Sequence, residues 1–416
     1  MSIEADLLIY NINKIYTPLG NKPLCGDEMN NIAKIKNGFI AIKDGLIIAA
    51  GNGPAAIYAK EEIDADGKIA LPGFIDSHTH LIHYGSRENE LALKLKGYTY
   101  VDILKMGGGI LSTVKATNNA ADFMIIEKAI KSAKLMLKHG VTTVEIKSGY
   151  GLNTESEIRL LKLINRLDSI CSLDVVPTFL GAHAIPPEFK DNSWGYVNKI
   201  IDEMLPKVRE ENLAEFCDVF CEEGAFSYEQ SKKILEEAKK LGFKLKIHAD
   251  ELTQNRGSEI AGELGAVSAE HLEEISDKGI ETMKKAGTIA VLLPGVSYFL
   301  ERPYADARKM IKKGLAVSLA TDYNPGTSPT ENLQMIMSLA YIKMKMTARE
   351  ILTAVTLNAA CAVDRGKELG TIEEGKKGDI ILLDVPNLDY IMYHFGINHV
   401  DTVIKSKNGK TVIMKV

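Results

Sequence analysis

Between residues 69 and 322 the chain alternates eight times between a short run rich in β-branched and apolar residues and a longer stretch with helical periodicity. The runs cover 69–80, 142–148, 174–183, 216–222, 244–250, 266–271, 288–294 and 315–322. Helical patterns lie between them, among others at 122–139, 155–167, 228–241 and 302–313. Strands joined through helices run parallel, and so many such units in series predict an α/β fold of the closed (β/α)₈ kind. Both ends of the chain carry a different, β-rich texture, at 5–11, 38–43 and 46–50 and again at 379–384, 401–406 and 411–416. Lys407-Asn408-Gly409 between the last two is a hairpin turn signal. We therefore expect a small β-sandwich domain built from residues 1–66 plus 368–416, flanking a barrel over 67–367.

Composition narrows the function. The chain has 416 residues, a formal charge of −5 and both signs of charge dispersed, so no basic stripe offers itself to nucleic acid. The acidic start lacks the basic and apolar segments of a signal peptide, and the longest apolar stretch, near 288–300, is broken by Pro294 and Gly295. It falls short of the roughly 20 residues a bilayer span needs. Five scattered cysteines complete no zinc-finger spacing and read as reduced thiols of a cytoplasmic protein. A small-molecule substrate is the expected partner, with neither nucleic acid nor membrane.

Barrel chemistry sits at the C-terminal ends of the strands. Five of the nine histidines and one aspartate fall there: His78, His80, His183, His248, His271 and Asp322. Side chains two apart on a strand share a face, so His78 and His80 can reach one ion. The parity of 244–248 and 316–322 turns His248 and Asp322 inward. Three imidazoles and a carboxylate form an N/O ligand set suited to a transition metal, which acidifies bound water toward a pKa of about 7. The second oxygen of Asp322 can then take the proton of that water. Each residue has a plainer role open to it: a packed core histidine for His248, a helix cap for Asp322. No GxSxG elbow supports a serine hydrolase, and Gly107-Gly108-Gly109 matches no phosphate loop, reading instead as a flexible segment over a pocket.

Pro72-Gly73-Phe74-Ile75-Asp76-Ser77-His78-Thr79-His80, with His248, His271 and Asp322, resembles the amidohydrolase superfamily over nearly the whole chain. Five further motifs resemble the imidazolonepropionase family within it: Gly85-Ser86-Arg87, Glu145 to Leu152, Thr178 to His183, His248-Ala249-Asp250-Glu251, and Asp322 to Thr327. The resemblance implies hydrolysis of the cyclic amide of 4-imidazolone-5-propanoate to N-formimidoyl-L-glutamate in histidine degradation. It also implies one zinc or iron ion per subunit and a homodimer. By the same resemblance Arg87 takes the propanoate, Tyr150 walls the pocket, and His183 polarises the ring carbonyl. Glu251 holds ring nitrogens or shuttles a proton, His271 orients or relays a proton, and Asn324, Gly326 and Thr327 contact ligand. The fourth strand, Phe216 to Glu222, lacks the lysine that binuclear relatives carboxylate, which favours a single metal. Two other readings stay open: a mononuclear deaminase of a purine, cytosine or related ring, and a non-catalytic barrel paralogue.

Overall fold

The structure is a computed structural model and describes residues 3–54, 56–98, 102 and 106–416. Each of the eight expected runs contains a barrel strand: Phe74–Asp76, Val141–Lys147, Asp174–Ala182, Phe216–Cys221, the short pair Lys244–Leu245 and His248–Ala249, Ser268–His271, Ile289–Leu292 and Val317–Leu319. Neighbours pair in parallel in chain order. The ring closes just beyond the first and eighth strands. There the Asp322 N–H donates to the His78 carbonyl at 3.1 Å, and the His80 N–H to the Tyr323 carbonyl at 2.9 Å.

Alternation sorts the strand residues. Val144, Ile146, Cys217, Val219, Leu245 and Ile247 join the large apolar core shared with the helices. Their alternates Glu145, Lys147, Asp218 and Lys246 are fully buried in the barrel interior. The helices Asp122–Lys138, Thr154–Ile170 and Tyr228–Lys240 stand where periodicity puts them. Asn153 and Ser227 cap the latter two by accepting from backbone N–H groups of the first turn. The helix expected over 302–313 contracts to Ala307–Lys312. Glu301, at φ +54°, ends the preceding helix Pro294–Leu300, and Pro303 cannot extend one.

The terminal segments form one eight-stranded sheet. Its long strand Ile3–Pro18 pairs with Ile32–Lys43 on one side. On the other it pairs first with Ile57–Asp64 and then with Ile69–Pro72. Strands from the end of the chain complete the sheet: Ile380–Leu383 pairs with Ile69–Pro72, and the hairpin Val400–Lys407 with Lys410–Lys415 follows. Asn408 and Gly409 turn that hairpin with φ of +53° and +72°, the left-handed pair its sequence predicts. Ile9, Ile12, Ile15, Ile40, Ile380 and Ile404 pack the sheet's own core. The Lys405 ammonium ties sheet to barrel, 2.7 Å from Asp379 and 2.8 Å from Asp174 at the start of the third barrel strand.

The first expected run divides. Ile69–Pro72 lies in the terminal sheet and only Phe74–Asp76 in the barrel. At the junction the Gly73 N–H donates to Asp379 of the sheet at 2.8 Å, and the next, of Phe74, to Gly140 at 2.9 Å. Thr142 packs so closely on Gly73 that a Cβ there would collide with its Oγ1 and Cγ2. Among the described residues, no helix is long and apolar enough to cross a membrane. Gly73→Ala should therefore cost about 1–3 kcal/mol by overpacking, read as a lowered midpoint in chemical denaturation, and Thr142→Ala should return part of that loss.

Candidate active site

The short barrel strands end in left-handed turns that aim side chains across the mouth. Asp250, His271, Leu272 and Asp322 all adopt positive φ, between +50° and +74°. Non-glycine residues hold such angles only where surrounding contacts over-determine them. Backbone bonds lock the His78–His80 segment in place, since the Lys147 N–H donates to the Thr79 carbonyl at 3.0 Å and Asp322 and Tyr323 bind its other edge.

Four imidazoles and one carboxylate meet there. Asp322 Oδ1 lies 3.2 Å from His78 Nε2 and 3.3 Å from His80 Nε2, and His248 Nε2 is 3.3 Å from His80 Nε2. The His78 ring centroid is 4.6 Å from that of His248 and 5.8 Å from that of His271. Donor atoms of His78, His80 and Asp322, and likewise of His78, His248 and His271, fall within 4.8 Å of one another. Burial, reinforced by the Lys147 charge, holds His78 and His248 well below the ordinary imidazole range and His80 at about 3. These rings are neutral bases. Desolvation pushes Asp322 well above the carboxylate range. His78 Nδ1 and Nε2, His80 Nδ1, His271 Nδ1 and Asp322 Oδ1 are buried without a hydrogen-bond partner. Neutral nitrogen lone pairs and an unmatched carboxylate oxygen facing one point fit a cation.

The surroundings fix these donors. His248 turns Nδ1 to Asp218, 3.1 Å away, which leaves Nε2 for the centre. Asp218 is in turn held by the Lys147 ammonium at 2.8 Å, which also binds Glu145 at 2.8 Å. Asn324 donates from Nδ2 to Asp322 Oδ2 at 2.9 Å, so Oδ1 is the oxygen left facing the imidazoles. The Asn324 side-chain Oδ1 accepts from the Gly326 and Thr327 N–H groups at 2.8 and 2.7 Å, which shapes the turn after the eighth strand. A further set, Asp218, His248 and Glu270, is also close enough for a cation, but Lys147 and Lys246 already occupy its carboxylates.

A cavity of about 500 Å³ opens beside the donors. His80, His183, His248, His271, Asp322, Arg87, Tyr150, Glu251, Asn324, Gly326 and Thr327 all border it, so every residue singled out in the sequence except the fully buried His78 lines one space. Arg87 pairs with Glu90 at 2.8 Å and lies flat on Gly326, where a side chain would strike the guanidinium. Glu90 also accepts from the Gly109 N–H at 2.8 Å. Gly109 thus opens the helix Ile110–Asn119, whose Ile110 borders the cavity, where a flexible segment is expected. The His183 ring stacks on His80 at 4.8 Å and sits 5.3 Å from Tyr150. Its Nδ1 contacts the Gly149 carbonyl at 3.0 Å, so the proton resides there and Nε2 is an acceptor. Burial holds this ring at about 3, hence neutral. Burial, with Asp322 and Glu222 nearby, lifts Glu251 to about 8, and its Oε2 is 3.6 Å from His271 Nε2.

Sequence reasoning missed Asp218 as the partner of His248, the cavity wall Phe220, Glu273 with its buried, unpartnered Oε2, and the cavity residue Arg302. Asp218 was within reach, since its parity in Phe216–Cys221 is inward. Arg302 belongs to no motif.

Residues 69–415 match the amidohydrolase family. The chain is 77% identical to the imidazolonepropionase of Thermoanaerobacter pseudethanolicus over 100% of both chains, and 72% identical to that of Caldanaerobacter subterraneus subsp. tengcongensis, again over 100% of each. The imidazolonepropionase of Fusobacterium nucleatum is 50% identical over 99% of this chain and 100% of that one. Among solved structures, a triazine hydrolase variant superposes with a TM-score of 0.75 at 17% identity, covering 98% of this chain and 95% of that one. A zinc-bound adenosine deaminase from Xanthomonas campestris superposes at 0.70 and 16% identity, covering 99% and 93%. At such identities the superpositions speak for the fold alone. Asp218→Asn should weaken metal affinity about 10- to 100-fold by releasing the His248 ring, measured by competition with a chromogenic chelator.

Proposed function

The chain belongs to the amidohydrolase family and, within it, to the imidazolonepropionases, and from this premise we infer that its cavity hydrolyses the cyclic amide of 4-imidazolone-5-propanoate to N-formimidoyl-L-glutamate in histidine degradation. The observation that carries this reading is one space shared by a cation-ready donor set and a guanidinium able to grip a carboxylate. We assign His78, His80, His248 and Asp322 to hold one zinc or iron ion. When bound, such an ion supplies Lewis acidity that brings water toward a pKa of about 7 and polarises a carbonyl oxygen.

The protein's own groups do the rest. Arg87, held against Gly326 and Glu90, presents a fork matched to the propanoate. Tyr150 and His183 wall the ring. The neutral His183 offers an acceptor at Nε2, which suits a ring N–H of the substrate; polarising the carbonyl would require a second proton that burial opposes. Asp322 turns Oδ1 to the donor set, and its second oxygen, Oδ2, oriented by Asn324, keeps a lone pair as the base for the proton of water. The water oxygen adds to the carbonyl carbon, the carbon–nitrogen bond breaks, and the nitrogen takes a proton. Glu251 is the best-placed donor of that proton, because burial keeps it protonated near neutrality and His271 stands 3.6 Å away to relay one. A deaminase of purine or pyrimidine rings would use the same donors, but it leaves Arg87 in the cavity without a purpose.

Wild-type protein should consume 4-imidazolone-5-propanoate, followed by its absorbance, while His78→Ala and chelator-stripped protein should not; equal rates in wild type and His78→Ala would refute the assignment. Arg87→Gln should raise KM about 10- to 100-fold, the cost of one charged hydrogen-bonded pair, with a smaller change in kcat. A fall confined to kcat would mean that Arg87 does not hold the carboxylate.

A further inference from the structure

The cavity has a second cation. Arg302 follows the helix Pro294–Leu300, and its N–H donates to the Ser297 carbonyl at 2.9 Å. Its side chain lines the cavity beside Glu251, Leu252 and Leu300. It also borders an open surface groove with Leu91, Tyr298 and Phe299, and so stands at the lip between the two. Among the described residues Arg87 is ion-paired to Glu90 at 2.8 Å, whereas Arg302 pairs with no carboxylate and its guanidinium makes only a long 3.4 Å contact with the Leu252 carbonyl. The two guanidiniums enter from different sides. Arg87 rests on Gly326 after the eighth strand, and Arg302 reaches the loop that follows the fifth.

The reaction redistributes charge within its ligand. The substrate brings one carboxylate. Hydrolysis adds the oxygen of water to the carbonyl carbon and breaks the ring carbon–nitrogen bond, whose electron pair stays on nitrogen. One proton of water goes to that nitrogen, and the new carboxyl group ionises by passing its proton to the basic formimidoyl group. The product therefore carries two carboxylates, and Arg87 answers only one. We propose that Arg302 receives the carboxylate created by ring opening and draws the product from the centre of the mouth toward its lip. This rests on the reaction assigned above and adds a product-binding residue to it. A guanidinium without an ion pair is suited to the task, because it binds a carboxylate through two parallel hydrogen bonds and has only the long Leu252 contact to give up first.

The test compares wild type, Arg302→Gln and Arg302→Lys, with N-formimidoyl-L-glutamate and its α-carboxamide counterpart as inhibitors of substrate turnover. Wild type should bind the diacid about tenfold more tightly than the carboxamide, as a partly desolvated charge pair warrants. Arg302→Gln should bring the two within about twofold, Arg302→Lys should keep part of the preference, and the ratio of product Ki to substrate KM should rise about fivefold in Arg302→Gln. An undiminished preference in Arg302→Gln, equal weakening of both inhibitors, or no preference in wild type overturns the proposal while leaving the reaction standing. Failure of wild type to consume the substrate overturns both.

Discussion

A carboxylate sealed from water keeps its charge only when an opposite charge stands beside it, and the interior of this barrel is built around that constraint. Lys147 bridges Glu145 and Asp218, and Lys246 faces Glu270, all five side chains without exposure. Asp218 passes the order upward by fixing the His248 ring. Asp322 has no ammonium within ion-pairing distance among the described residues and stands instead among the imidazoles of the donor set. The lysines also hold the carboxylates of the donor set Asp218, His248 and Glu270, so among the described residues the donors left to take a cation are those at the mouth. Floor and mouth are one electrostatic unit.

Above that floor, the backbone spends local strain to converge side chains. Strands of two to four residues cannot by themselves point His248, His271 and Asp322 at a common spot. The left-handed residues after them do so, each braced by a specific partner. Asn324 braces Asp322, and Asp250 accepts from the Gly257 and Ser258 N–H groups at 3.1 and 3.2 Å, anchoring the loop that carries Glu251. A donor set held this firmly is preorganised, and its geometry need not be assembled when substrate arrives.

Much of this is legible in the sequence, for physical reasons. Apolar and β-branched runs at regular intervals mark strands because each must bury its outer face, and the strand-end histidines stand out because imidazole seldom collects by chance at one layer. Parity correctly sends His248 and Asp322 inward. What escapes depends on the third dimension. Ile57–Asp64, with Lys60, Glu61 and Glu62, lacks the apolar content of a strand and forms one by pairing with Ile3–Tyr10. Ile69–Pro72 reads as continuous with Phe74–Asp76, and only the change of hydrogen-bonding partner at Gly73 divides them. Arg302 reaches the cavity because Glu301 and Pro303 end one helix and delay the next, and no local pattern reports where such a loop leads. The tautomer of His183 follows from a single contact with the Gly149 carbonyl, and its neutrality from burial.

The interleaved terminal sheet has a consequence for biosynthesis. Ile69–Pro72 leaves the ribosome about 300 residues before Ile380–Leu383, the neighbour that covers one of its edges. Until then the nascent chain displays an open edge of apolar β-structure, the kind that recruits other chains. The longer the interval between these two strands in synthesis, the longer that edge stays open, so a ribosomal pause between them favours aggregation over native folding.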